Sequence, residues 1–107
     1  MIAIHISGIH CHVSDRTRAY IHDKFGDLDR YHARLHAVHV TIHGGEREGY
    51  RADTVMHLHS GKEVVAHAAD KSLFAAIDGA AGKSASQLRK IHERERDVHR
   101  SHAEIAV

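Results

Sequence analysis

Hydrophobic and polar positions alternate in short runs and then change period. Ile2, Ile4 and Ile6 alternate with Ala3, His5 and Ser7, the signature of a half-buried strand. Gly8 to His12 reads as a connector. Ser14 stands where it can cap a helix, with Asp15 in the first turn. Ile21, Phe25 and Leu28 then recur at steps of four and three, with Thr17 one turn earlier, and predict an amphipathic helix from Asp15 to about Tyr31. Val38, Val40 and Ile42 return to period two. A glycine-containing charged loop, Gly44 to Tyr50, separates them from a third strand over about Ala52 to His59. Ser60-Gly61 marks a tight turn, and Glu63 to Ala68 is a fourth strand.

The longest helical signal runs from Asp70 to Arg96, with a polar end reaching about His102. Phe74, Ile77, Ala81, Leu88 and Ile91 share one face, and Asp70 or Ser72 can cap the start. Lys83, Lys90 and Arg94 follow at steps of seven and four, so they share another face. The apolar face has small residues where bulk would pack better, at Ala80, Ala81 and Ser84. Gly79 and Gly82 each cost about 1 kcal/mol in a helix interior. Only a close contact with a neighbouring element would use such small residues. The order β-α-β-β-β-α predicts an α+β fold: a two-layer domain, with both helices on one face of a four-stranded mixed sheet.

Length and composition narrow the function. The 107 residues suit one domain, 1–107, with about 95–107 as a polar helix end or tail. The single cysteine, Cys11, cannot form an internal disulfide and fits a small, buried or semi-buried apolar role in a reducing cytoplasm. The opening MIAIHISGIH lacks a basic region and a long apolar run, so neither a signal peptide nor a membrane span is expected. A net charge of +1 does not by itself announce a polyanion partner, so any such partner must be met through charge placement. No nucleophile elbow, phosphate loop, triad spacing or dedicated metal motif is present. The expectation is therefore no enzyme, no cofactor, no metal and no small-molecule substrate.

Fourteen histidines are the compositional anomaly. Strand alternation assigns His5, His39, His43, His57, His59 and His67 to the sheet face away from the helices. Three readings stay open: filler at exposed strand positions, a face that gains charge in mild acid, or adventitious or functional Zn²⁺ or Ni²⁺ binding.

Several segments in order resemble the ribosome hibernation promoting factor family, which includes protein Y or ribosome-associated inhibitor A. They are IAIHISGIHCHVSD, RTRAYIHDKFGDLDRY, SGKEVVAHA and LFAAIDGAAGKSASQLRK. The resemblance spans about Met1 to Arg94, and Ala75-Ala76-Ile77-Asp78 with Lys83 and Gln87-Leu88 is its most specific part. It implies a non-catalytic protein that binds the small ribosomal subunit between head and body, where mRNA and tRNAs would lie, and blocks translation in stress or stationary phase. It also implies contacts to 16S rRNA phosphates from Arg18, Lys24 and Arg30 on the first helix and from Lys83, Arg89, Lys90 and Arg94 on the second. The chain ends at Val107 and so resembles the short form. Ser86 stands where the family usually has arginine, and Asp27 near a usual basic position; Arg89, beside Lys90, offers partial compensation. The alternative is a protein of this fold acting as a histidine-rich metal- or pH-responsive module. Self-association through the sheet edge or open face is a further option, and the oligomeric state stays unassigned.

Overall fold

The computed structural model describes residues 2–45 and 47–106, with side chains as far as Arg96. Strand β1 (Ala3–Ile9) is followed by helix α1 (Asp15–Phe25), a 3-10 turn (Leu28–Arg30), strands β2 (Leu35–Gly45), β3 (Gly49–Leu58) and β4 (Glu63–Asp70), and helix α2 (Leu73–Ala106). The sheet order is β1-β2-β3-β4, parallel between β1 and β2 and antiparallel thereafter, as expected of a mixed sheet.

One face of the sheet is the core. Val38, Val40 and Ile42 of β2, Ala52, Met56 and Leu58 of β3, and Val64, Ala66 and Ala68 of β4 are all buried on it. Ile21 and Phe25 of α1 and Ile77, Leu88 and Ile91 of α2 close over them. Helix α2 lies across β3 and β4, and α1 packs against β1 and α2.

Local chemistry sets the ends of these elements. The Ser14 side chain accepts from the Thr17 amide at 3.2 Å and caps α1. Helix α1 then stops at Phe25, short of the Tyr31 that periodicity suggested. Gly26 weakens the helix, its N–H closing the last turn on the His22 carbonyl, and Asp27 leaves helical geometry with φ −102° and ψ 11°. Leu28 keeps its place in the core by restarting the chain as a 3-10 turn. Arg30 therefore sits on that turn, not on the first helix. Ser72, one of the two predicted caps, accepts from the Ala75 amide at 3.4 Å at the start of α2, while Asp70 accepts from Ser72.

The β2–β3 strands extend into the predicted loop. Gly44, at φ 110°, has no room for a side chain: a Cβ would meet the carbonyl oxygen of Gly49. The β3–β4 turn is at the predicted Ser60-Gly61, where the Gly61 N–H donates to the Leu58 carbonyl at 2.9 Å.

The small residues of α2 are used as a close helix–sheet contact. A Cβ on Gly79 would lie 2.9 Å from the Ala68 Cβ of β4. Ala80 and Ser84 are fully buried, and the Ser84 hydroxyl is satisfied by donating to the Ala80 carbonyl at 2.7 Å. Gly82 has open space beside it and no packing role of this kind.

Candidate nucleic-acid interface

The seam between the helices begins with Tyr20 of α1. Its ring meets Phe74 of α2 edge-on at 4.5 Å, and its hydroxyl donates to Asp78 at 2.6 Å. That bond, reinforced by partial desolvation and the negative charge of Asp78 and Asp23, holds the phenol above its ordinary titration range. Lys24 adds an exposed ion pair to Asp78 at 3.6 Å and lies over the Tyr20 ring at 5.4 Å, and Arg16 lies over Phe74 at 5.7 Å. An exposed pair of this kind contributes little stability. The Tyr20–Phe74 ring contact and the Tyr20–Asp78 hydrogen bond join α1 to α2 at this point.

Farther along the seam, Tyr31 sits between two arginines. Arg30 donates to the Tyr31 hydroxyl at 2.8 Å with its guanidinium 4.9 Å from the ring centre, and Arg89 of α2 lies 5.5 Å from the same ring. The contact with Tyr31 raises the Arg30 pKa further, so its charge is permanent. Lys24, Arg30 and Tyr31 line a groove together with Asp23, Asp27 and Leu28 and with Ala81, Gly82 and Ala85 of α2.

Lys83 and Lys90 lie on the opposite flank of α2. With Ser86 and Gln87 they border a second groove against Val65, Ala66 and His67 of β4. Arg94 continues that flank one turn beyond Lys90. Arg18, two residues before Tyr20, is on the side of α1 turned away from α2. All seven predicted cations, Arg18, Lys24, Arg30, Lys83, Arg89, Lys90 and Arg94, are exposed. The fold brings together Lys24, Arg30 and Arg89 on one side of α2 and Lys83 and Lys90 on the other, and leaves Arg18 apart. Tyr20 and Tyr31, which organise the first group, escaped the sequence reading; Tyr31 stands beside Arg30 at the end of the helix pattern, while Tyr20, between Ala19 and Ile21, carries no such signal.

Sequence also passed over His32. This ring is 3% exposed and bonded at both nitrogens: Nδ1 accepts from the Arg34 amide at 3.2 Å, and Nε2 lies 3.1 Å from a Glu95 carboxylate oxygen of α2. Because Nδ1 accepts, the proton resides on Nε2 and is donated to Glu95. His92 meets the same ring edge-on at 5.9 Å. The distal part of α2 is thereby tied to the segment preceding β2.

The open face of the sheet carries the six predicted histidines and one more. The register shift between Leu35 and Ala37 carries His36 into contact with His57 and His59, at ring separations of 6.3 and 4.7 Å. His43 pairs with Asp53 at 2.9 Å and His57 with Glu63 at 3.5 Å. Among the described residues no three histidine, cysteine or acidic side chains converge on a point that could hold a metal ion.

Residues 4–96 match the family model described as Sigma 54 modulation protein / S30EA ribosomal protein. The chain belongs to this family. Its curated relatives carry the name ribosome hibernation promoting factor. The chain is 31% identical to that of Escherichia coli (strain K12) over 87 residues, 81% of this chain and 90% of the relative. It is 36% identical to that of Azotobacter vinelandii over 92 residues, 86% of this chain and 84% of the relative. Among solved structures, the crystal structure of the Thermus thermophilus Protein Y N-terminal domain superposes with a TM-score of 0.73 at 27% identity, covering 85% of this chain and 99% of that one. A ribosomal subunit interface protein from Coxiella burnetii shares the fold, with a TM-score of 0.74 at 20% identity over 86% of this chain and 99% of that one. The family resemblance and the predicted α+β architecture are both borne out. No helix among the described residues is long and apolar enough to cross a membrane.

Proposed function

We propose that this protein is a hibernation factor that binds the small ribosomal subunit and inhibits translation by occupying the channel for mRNA and tRNA. The observation that carries the reading is the helix layer: α1 and α2, joined at Tyr20 and Asp78, and the turn bearing Arg30 and Tyr31, packed by Arg89 of α2, present exposed arginines and lysines. Structured RNA is met in this way, through its shape and its phosphates and not through base edges. Membership of a family whose relatives are named for ribosome hibernation supports the ribosome as the partner.

In this reading Lys24, Arg30 and Arg89 contact 16S rRNA phosphates on one side of α2, Lys83, Lys90 and Arg94 do so on the other, and Arg18 extends the contact along α1. The protein acts in the cytoplasm by occupying space, without catalysis. Family membership does not favour the histidine-rich module as an alternative to the ribosome.

Sedimentation with purified small subunits through a sucrose cushion, over a series of salt concentrations, tests this. The wild-type chain pellets at low salt and dissociates as salt rises. Replacing Lys83 and Lys90 with Glu weakens binding and reduces the slope of log K against log salt by about 1 to 2. A wild-type chain that stays in the supernatant at low salt, or a double variant that pellets equally well, overturns the proposal.

A further inference from the structure

Binding through the helices leaves the open face of the sheet unused. On it, His5, His39, His57, His36 and His59 form one unbroken line of rings, with centroid steps of 4.6, 5.4, 6.3 and 4.7 Å. The line crosses β1, β2 and β3 and ends in the turn before β4. Its neighbours on the same face include Ala3, Ser7, Ala37 and Thr41, so the imidazoles stand above a floor of small side chains.

Charged groups around the line are few. Asp53 is shared between Arg51, at 2.8 Å, and His43, at 2.9 Å, and Glu63 lies 3.5 Å from His57. His5, His36, His39 and His59 have no carboxylate partner among the described residues. At the His59 end, the Arg34 carbonyl accepts the His59 amide, and Lys62 follows in the same turn. On β4 the face continues with the exposed Val65 and with His67.

The shape of the cluster selects its ligand. A metal ion needs ligands that converge, and these do not. A row of protonated rings, each a cation with N–H donors, suits an extended chain of repeated anions. Histidine rings also stack with unpaired bases. Imidazolium ions this close repel one another, and an anion laid along them offsets that repulsion.

The geometry points to a second, proton-gated RNA-binding face: the imidazole row of the open sheet takes the phosphodiester backbone of a single-stranded RNA segment when its rings are protonated and releases it when they are neutral. The sign follows from imidazole chemistry: protonation makes each ring a cation that donates from both nitrogens, and loss of the proton removes the charge. Affinity rises as pH falls, and binding takes up protons. This face is separate from the lysines and arginines of α1 and α2 and does not depend on which RNA they meet.

The test uses the full chain and a fluorescent single-stranded oligouridylate, with affinity read by anisotropy. From about pH 7.5 to about pH 5.5 the wild-type affinity rises about tenfold or more. His5→Gln/His39→Gln/His57→Gln, with its fold checked by circular dichroism, loses that rise. A control carrying His12→Gln and His22→Gln, exposed in the segment before α1 and on α1 itself, keeps it. Lys83→Glu/Lys90→Glu lowers affinity throughout but keeps the rise, which separates this face from the helix surface. Calorimetry in buffers of different ionisation heat shows proton uptake in wild type and not in the face variant. A wild type without the rise, a face variant that keeps it, or a control that loses it overturns the proposal.

Discussion

Gly79 and Gly82 sit three residues apart in the same helix, yet the same substitution should act on them with opposite sign. Replacing a helix-interior glycine with alanine contributes about 1 kcal/mol through backbone entropy. At Gly82 nothing lies within 4 Å of the new methyl group, so Gly82→Ala should stabilise the protein by about that amount. At Gly79 the methyl would lie 2.9 Å from the Ala68 Cβ, where two carbons prefer about 3.5 to 4.0 Å. Ala68 has no rotamer with which to yield, so α2 and β4 must move apart. Overpacking of this kind costs about 1 to 3 kcal/mol. The net effect of Gly79→Ala is then a loss of up to about 2 kcal/mol. Urea unfolding followed by circular dichroism measures both, and each 1 kcal/mol corresponds to about 4 to 8 °C in Tm for a domain near this size. Ala68→Gly in the Gly79→Ala background should recover part of the loss, giving a favourable coupling in the double-mutant cycle. If Gly79→Ala stabilises as much as Gly82→Ala, the close helix–sheet contact is not what the small residues are for.

Two further outcomes follow from the helix seam and the buried ring. Tyr20 is neutral when protonated and its titration is raised, so the Tyr20–Asp78 bond persists through the ordinary tyrosine range near 10.0 and is lost as pH rises above it; the tyrosinate absorbance should show one of the three tyrosines ionising late, and Tyr20→Phe should remove that phase. His32→Ala should cost about 2 kcal/mol by removing a buried ring and the acceptor of the Arg34 amide. His32→Asn, which can place an acceptor near the Nδ1 position, should recover part of it, and equal loss in both variants by urea unfolding would sink the assignment of that bond.

Much of this architecture was legible because the chain obeys two periods. Period two placed the core residues of β2 and put six histidines on the sheet face away from the helices. Steps of three and four placed Ile21, Phe25, Leu28, Ile77, Leu88 and Ile91. The misses have physical causes. Leu28 continued the helical spacing, so the break at Gly26 and Asp27 was invisible until the 3-10 turn showed a second way to bury the same leucine. His36 does not fit strand alternation, because a register shift turns it onto the histidine face. The grouping of cations around Tyr31 depends on how α1 is set against α2, a long-range arrangement that no local pattern encodes. Small residues on α2 read as a weakness in isolation, and only the nearness of Ala68 gives Gly79 a role.

The account rests on the chain lying in the mRNA and tRNA channel of the small subunit, and a competition experiment tests that most directly. Small subunits loaded beforehand with mRNA and initiator tRNA should bind fluorescently labelled protein far more weakly than empty subunits, and excess protein should in turn prevent tRNA loading. Equal binding to loaded and empty subunits would place the protein elsewhere on the ribosome and contradict the proposal.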